Sequence, residues 1–180
     1  MTTMFASRIS RRSLLKAAAF TITAGALTTA TAPFAKAEPG TIVGTVIDFA
    51  AGVPDAQAVK DGGFLGAVRY VSQRRPGAEW MLGKPVTRQE TDAMANLGLK
   101  TASVYQFGKE ETADWKQGAE GARVHAPQAI ELHRAAGGPT GRPIYVAIDD
   151  NPTREQYDNQ IRPYLQTFRT LLSDAGYSMG

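Results

Sequence analysis

The stretch that decides the fold reads Arg142-Pro143-Ile144-Tyr145-Val146-Ala147-Ile148-Asp149-Asp150-Asn151-Pro152. Its first half, rich in β-favouring and small residues, predicts a buried parallel strand. Asp149, Asp150 and Asn151 follow at the carboxyl end of that strand, where α/β proteins keep their functional groups. Adjacent like charges are costly in a partly dry site, which favours a functional role for the three residues. The alternative is that Asp150 or Asn151 only caps a turn.

Outward from this stretch, strands and helices alternate along the chain. Besides 143–148, strands are predicted over 42–49, 67–72, 99–107 and 177–179. Helices are predicted over 54–60, 87–97, 113–136 with a kink or restart at Pro127, and 153–175. Capping boxes open two of them, at Thr87–Glu90 and Thr153–Gln156. Strict alternation predicts a parallel α/β sheet, either doubly wound or closed as a barrel.

The loop after the first predicted strand distinguishes these two folds. It reads Asp48-Phe49-Ala50-Ala51-Gly52, without the glycine-rich phosphate loop of nucleotide-binding folds. We therefore predict a (β/α)8 barrel of the TIM type. A whole barrel takes about 200 residues or more, and residues 38–180 supply fewer. The sequence thus predicts a barrel domain over 38–180 that is truncated at the start of its fifth strand.

Residues 1–37 predict an export signal. Ser10-Arg11-Arg12-Ser13-Leu14-Leu15-Lys16 matches the twin-arginine motif, and a weakly hydrophobic run follows it. The small residues of Ala35-Lys36-Ala37 predict cleavage after Ala37. The run is too short and too polar to span a bilayer, so we expect no stable membrane anchor after cleavage. The predicted partner is the twin-arginine machinery, and the predicted location is outside the cell or in its envelope.

Charge and composition narrow the ligand classes. Five of the 20 basic side chains and none of the 17 acidic ones lie in residues 1–37, so the remainder is slightly acidic. Nothing in this charge balance indicates a nucleic-acid surface, so we predict no nucleic-acid partner. No motif predicts a cofactor. His125 and His133 have no third ligand at metal spacing, so we predict no metal site and interpret both as surface or packing residues.

Alternation along the strands predicts which side chains share a pocket. If Asp149 faces the inside of the barrel, the same parity places Asp48 inside, with Arg69 and Tyr105 on the strands between them. Two carboxylates beside an arginine and a tyrosine can act as acid and base, or can bind a polyol. The alternative for Arg69 is a buried ion pair with Asp48.

Two tryptophans follow the middle strands of the predicted sheet. Trp80 and Trp115 are placed where an indole face could stack on a sugar ring. Packing under a loop is the alternative for each.

The order of four segments resembles a known family. These are Val46-Ile47-Asp48-Phe49, Val68-Arg69-Tyr70-Val71-Ser72, Gly98-Leu99-Lys100 leading to Val104-Tyr105, and Pro143-Ile144-Tyr145-Val146-Ala147-Ile148-Asp149. They resemble the glycoside-hydrolase-like barrel domain of actinobacterial secreted proteins, a group similar to the cellosyl-type lysozymes of glycoside hydrolase family 25. The resemblance implies a barrel, a carbohydrate pocket at the carboxyl ends of the strands, and action on cell-wall or envelope polysaccharide.

The resemblance also implies roles for single residues. Asp48 matches the aspartate on the first strand of the lysozymes, and Asp149 matches the first carboxylate of their Asp-x-Glu pair. Asn151 stands where the lysozymes have the glutamate that donates a proton, and an amide cannot donate it. Three hypotheses follow: a hydrolase with Asp48 and Asp149 as its catalytic pair, a glycan-binding relic of a hydrolase, or an envelope assembly protein. In the first two, Arg69, Tyr105, Asp150, Asn151, Trp80 and Trp115 contact the glycan. In the third, a missing second half or an exposed edge meets a partner.

Overall fold

The computed structural model describes residues 42–180 together with the dipeptide Ala6–Ser7. The rest of the predicted export signal, including its cleavage site after Ala37, lies outside the described residues. Within the described part of the chain, no helix has both the length and the apolar character needed to cross a membrane.

One six-stranded sheet organises the part of the chain that the structure describes. Its strands are β1 (Ala6–Ser7), β2 (Val46–Asp48), β3 (Gly66–Tyr70), β4 (Lys100–Tyr105), β5 (Pro143–Val146) and β6 (Ser178–Met179). They lie side by side in chain order. β1 pairs antiparallel with β2, and β2 to β6 are all parallel. The predicted parallel sheet of βα units is therefore confirmed, including its fifth strand.

The sheet is open over the residues that the structure describes, with β1 and β6 as its edges. The predicted closure into a (β/α)8 barrel is thus not confirmed. The strands are also shorter than predicted. β2 begins at Val46 instead of residue 42, because Ile42 and Val43 are more than half exposed and pair with no neighbouring strand.

Within residues 42–180, five helices connect the strands: α1 (Ala56–Asp61), α2 (Arg88–Asn96), α3 (Gly118–Ala135), α4 (Arg154–Gln156) and α5 (Arg162–Asp174). Two 3-10 turns, Glu110–Thr112 and Asp114–Gln117, precede α3, and a π turn over Tyr157–Ile161 joins α4 to α5. Pro163 is the second residue after the π turn. Because proline lacks an N–H and its ring clashes with the carbonyl four residues earlier, the helix widens here instead of continuing as an α-helix.

The two predicted capping boxes differ. At Thr153 the box is complete, since its N–H donates to Gln156 Oε1 (2.8 Å) and its hydroxyl accepts from the Gln156 N–H (3.1 Å). At Thr87 only half forms. The hydroxyl accepts from the Glu90 N–H, but the Glu90 carboxylate turns away from the helix end to bind Arg69. A strong buried partner therefore replaces the local cap.

The helices pack on one side of the sheet, which we call the helix face. One apolar cluster lies there between β4, β5, α3 and α5 and includes Tyr105, Ile144, Tyr164, Phe168 and Leu172. A smaller one joins β2 and β3 to α1 and α2 through Ile47, Val59, Ala67, Met94 and Leu99. Burial of one such large side chain stabilises the fold by about 1.5–3 kcal/mol. The opposite side of the sheet is the open face, where Tyr145 of β5 is 44% exposed.

Candidate functional site

Two carboxylates mark the carboxyl ends of β2 and β5. Asp48 ends β2 on the open face, and Asp149 lies three residues beyond the end of β5, in the segment that follows the strand. The Tyr70 hydroxyl donates to Asp48 Oδ2 at 2.8 Å. On the other side, the Gln106 amide donates to Asp149 Oδ2 at 3.3 Å, and Lys109 Nζ lies 3.8 Å from the same oxygen. Each carboxylate is therefore held by neighbours while its remaining oxygen stays available.

A buried lysine lies between the two carboxylates. Lys84 Nζ lies 3.8 Å from the ring centroid of Tyr70 and donates to the Gln106 carbonyl at 2.8 Å. The residue is only 4% exposed. Burial, with the nearby Arg75 charge, lowers the pKa of Lys84 to about 8, against the opposing attraction of Asp114 and Asp48.

Tyr70 is a hydrogen-bond donor in this arrangement. Burial first, and then the charge and hydrogen bond of Asp48, raise the pKa of the Tyr70 hydroxyl above its ordinary value. It therefore keeps its proton at neutral pH. Asp48, Tyr70, Lys84, Gln106 and Asp149 together form a polar strip across the carboxyl ends of β2 to β5.

A cleft of about 410 Å³ opens beside Asp149, and we call it the strand-end cleft. Its walls are Lys109, Glu110, Asp149, Asp150 and Asn151. Asp150 closes one wall, since it accepts from the Trp115 indole N–H at 2.7 Å and from the Glu110 backbone N–H at 3.2 Å. Its carboxylate thus holds the loop that follows β4, while Asn151 remains exposed.

A second carboxylate, that of Asp114, also holds the loop that follows β4. Asp114 accepts from the backbone N–H groups of Phe107 and Gly108, each at 2.7 Å. Burial raises the pKa of Asp114, and these two hydrogen bonds oppose the rise. Gly108 leaves no room for a side chain, because a Cβ there would lie 1.8 Å from the Thr112 carbonyl oxygen. The cleft therefore has a rigid wall.

Arg69 does not join the site. It is fully buried on the helix face, where its Nε donates to Glu90 and its Nη2 lies 3.3 Å from Glu90 Oε2. Its remaining donors bind the carbonyls of Phe49 and Gly83. The prediction of a pocket arginine is wrong. The alternative of a buried ion pair is right in kind, but the partner is Glu90 instead of Asp48.

Tyr105 also faces the helices. It is fully buried, with its ring 5.4 Å from the His125 ring and 5.6 Å from the Phe168 ring. Burial, followed by the charge of Asp114, raises the pKa of its hydroxyl. Because side chains alternate with a period of two, an error of one residue in parity moves a whole strand to the other face. That error placed Arg69 and Tyr105 in the predicted pocket.

The two tryptophans have different environments. Trp115 is 3% exposed and bound to Asp150, so packing under a loop describes it and its face is closed to a sugar. Trp80 is 56% exposed on the loop between β3 and α2. It keeps a free indole surface at the end of the sheet that carries the polar strip.

Both histidines are packing residues. His133 Nδ1 lies 2.8 Å from the Ser103 hydroxyl, and His125 packs against Tyr105. Burial lowers the pKa of both imidazoles. No group of three or more potential metal ligands occurs in the ranges that the structure covers.

A second cavity, of about 450 Å³, lies apart from the carboxylates. Its walls come from the loop after β3, the end of β4 and α3: Gln73, Arg74, Pro76, Phe107, Gln128, Glu131 and Leu132. It shares no residue with the strand-end cleft or the polar strip. None of the predicted site residues lines it, so the candidate site is the strand-end cleft with the polar strip.

A known protein family matches most of the chain. Residues 57–180 match the family described as Rv2525c-like, glycoside hydrolase-like domain. Rv2525c of Mycobacterium tuberculosis, which is named as a candidate peptidoglycan hydrolase, is 48% identical over 166 residues. The match covers 91% of this chain and 69% of that protein.

Solved structures agree with this assignment. A crystal structure of Rv2525c with L-tartrate, described as a Tat-secreted protein, shares 50% identity at a TM-score of 0.73, covering 76% of this chain and 67% of that one. The autolysin LytC of Streptococcus pneumoniae, solved with a synthetic peptidoglycan ligand, is 16% identical at a TM-score of 0.54. That match covers 78% of this chain and 32% of LytC, and it shows a likeness of fold alone.

Proposed function

This chain belongs to the Rv2525c-like family of glycoside hydrolase-like domains, and we propose that it acts outside the cell by cleaving a glycosidic bond in peptidoglycan. The observation that carries the proposal is the placement of Asp48 and Asp149. Both lie at the carboxyl ends of parallel strands, where glycosidases of α/β architecture hold their acids. The name of the M. tuberculosis relative supports the choice of polymer.

Asp149 acts at the anomeric carbon in this proposal. Its side chain is 64% exposed at the entrance of the strand-end cleft, so a sugar ring can reach it. Glycosidic cleavage passes through a transition state with positive charge on the ring, which a carboxylate stabilises. Asp48 helps to bind the substrate at the other end of the polar strip. Tyr70 occupies its Oδ2, so its Oδ1 accepts hydrogen bonds from sugar hydroxyls.

Neutral groups around the cleft bind the glycan. The amides of Gln106 and Asn151 both donate and accept, which suits a ring with several hydroxyls. Trp80 supplies a free apolar surface on which a pyranose ring stacks. We expect Trp80→Ala to weaken retention on insoluble peptidoglycan about tenfold, as is common for loss of a stacking contact.

We further propose that β2 to β6 form part of a barrel wall. Their sequential order and the location of the helices on one face are the features that support this. The open face would then line the interior, with the polar strip at its mouth. The relation to family 25 lysozymes remains a prediction. A crystal structure of the secreted protein tests both the closed barrel and this relation.

Export through the twin-arginine machinery is part of the proposal. It rests on the Ser10–Lys16 motif and on the description of the M. tuberculosis relative as Tat-secreted. Cleavage after Ala37 predicts a protein that begins at Glu38. Intact mass spectrometry of the protein recovered from culture medium measures this directly, and a mass that retains the first 37 residues would contradict it.

Glycan binding without cleavage is the second candidate, and Asn151 favours it because an amide stands where the related lysozymes have a proton donor. One experiment separates the two functions. Insoluble peptidoglycan is incubated with the protein, and both pelleted protein and released reducing ends are measured. Cleavage predicts soluble reducing ends that fall at least a hundredfold in Asp149→Asn, while the exposed Asp174→Asn serves as a matched control. Pelleting without release supports binding alone, and absence of both contradicts both candidates.

A further inference from the structure

Glu110 has an unusual backbone in the wall of the strand-end cleft. Its φ is 52°, and no other non-glycine residue of the described ranges has a positive φ. This conformation is disfavoured because Cβ comes close to the following carbonyl oxygen. Such residues persist only where their surroundings impose the conformation, and they cluster at functional sites.

The surroundings of Glu110 do impose it. Its N–H donates to Asp150 Oδ1, and the other oxygen of Asp150 is held by the Trp115 indole. On the amino-terminal side, Asp114 fixes Gly108 through its N–H. The chain is thus tied on both sides of Glu110, and these ties hold its backbone in the wall that Asp149 shares.

Among the carboxyl groups of the cleft wall, Glu110 is the candidate proton donor beside Asp149. Asn151 carries an amide, and the Asp150 carboxylate is engaged by two donors. Asp48 is no part of the cleft wall. Carboxyl pairs of glycosidases lie about 5–9.5 Å apart and flank one bond, so a carboxyl group in the same cleft wall as Asp149 suits the role better than Asp48 does.

We infer that Glu110 is this carboxyl group and donates the proton to the leaving group. The inference rests on the proposed hydrolysis. As the bond between the anomeric carbon and the glycosidic oxygen breaks, its electron pair goes to that oxygen, which takes the proton of Glu110. Water then supplies a hydroxyl group to the anomeric carbon, and its remaining proton restores the carboxyl groups to their starting state. Asp149 stabilises the positive charge between these events.

Neighbouring Glu111 provides a matched control. Its side chain is 98% exposed and its carboxylate lies 3.1 Å from Lys116 Nζ, outside the cleft wall. The test compares Glu110→Gln and Glu111→Gln for release of reducing ends from insoluble peptidoglycan. We expect Glu110→Gln to lose about a hundredfold or more, the usual effect of removing a general acid, and to pellet with peptidoglycan as the unaltered protein does. Glu111→Gln should stay within twofold.

Glu110→Gly separates a catalytic from a structural role. Glycine adopts a positive φ without strain, so this variant should unfold at the same or a higher temperature while its release of reducing ends is lost. A lower unfolding temperature together with full release would overturn the inference. If the unaltered protein releases reducing ends and Glu110→Gln does so within threefold, only the role of Glu110 fails. If the unaltered protein pellets but releases none, hydrolysis itself fails and Glu110 has no bond to protonate.

Discussion

The Tyr70 hydroxyl donates to Asp48 Oδ2 across two neighbouring parallel strands, at 2.8 Å. Tyr70 keeps its proton because burial and the Asp48 charge raise its pKa. The hydrogen bond therefore has a fixed direction, and it determines which oxygen of Asp48 remains free for a ligand. The carboxylate is oriented by its neighbour before any substrate arrives.

Removal of this hydroxyl should impair the site more than the fold. In Tyr70→Phe, Asp48 loses its donor, so we expect release of reducing ends to fall about tenfold, which corresponds to about 1.4 kcal/mol. The free energy of unfolding should change by less, about 1 kcal/mol. Tyr145→Phe, on the same open face, is the control and should leave release unchanged. Equal losses in the two variants would contradict an orienting role for Tyr70.

The buried ion pair between Arg69 on β3 and Glu90 on α2 should contribute strongly to the free energy of unfolding. Replacing one partner leaves an uncompensated buried charge, so Arg69→Met or Glu90→Gln should each lower the free energy of unfolding by about 3–5 kcal/mol. Urea unfolding measures this, and the double variant should lose less than the sum. Arg88→Met breaks the exposed pair with Asp92 and should cost less than about 1 kcal/mol. Similar losses for the buried and exposed pairs would be inconsistent with this account.

Loss of the Asp150 carboxylate should loosen one wall of the cleft. Asp150→Ala frees the Trp115 indole and the Glu110 N–H, so we expect the tryptophan emission to shift and proteolysis within residues 107–117 to accelerate. The free energy of unfolding should fall by about 1.5–3 kcal/mol, as for a hydrogen bond to a charged acceptor. Asn151→Ala, one residue along and exposed, should leave the emission and the proteolysis rate unchanged. The prediction fails if both variants are cleaved at the same rate.

Lys84 should make the stability depend on pH above neutrality. Its pKa is about 8 in the folded protein, below the value of an unfolded lysine, so between these two values the unfolded chain binds the extra proton. Stability from this group is therefore missing at pH 7 and gained as the pH rises from 8 towards 10. The difference in unfolding free energy between the unaltered protein and Lys84→Met should grow by roughly 2 kcal/mol over that interval. The exposed Lys100→Met should show no such change, and parallel curves for Lys84→Met would refute the prediction.

The strand order and the placement of Asp48 and Asp149 follow from local patterns. Apolar runs of strand length, each followed by a helix, specify a parallel sheet, and polar residues directly after such a run lie at the carboxyl end of the strand. β3 lacks such a clear pattern. Ala67 and Val71 face the helices and Val68 faces the other way, so apolar residues occupy both parities and alternation alone does not orient the strand. The buried position of Arg69 depends on Glu90, which lies 21 residues away along the chain.

The residues that complete the site come from loops, where periodicity carries no information. Lys84 lies in a loop punctuated by glycine and proline, and only the folded chain brings it over the Tyr70 ring. Glu110 is distinguished by its φ, which sequence does not display. One signal was available in part: a lysine between Gly83 and Pro85 in an otherwise apolar segment suggests a fixed cation. Its partners remain hidden until distant strands meet.

Three consecutive residues, Asp149, Asp150 and Asn151, differ in their structural roles. Asp150 is committed to holding the loop, while its neighbours contribute to the cleft without supporting the fold through comparable contacts. Changes at 149 and 151 can therefore alter the cleft at little cost in stability, whereas a change at 150 also loosens the loop. A variant library confined to Asp149 and Asn151 would thus sample ligand preference on an intact scaffold.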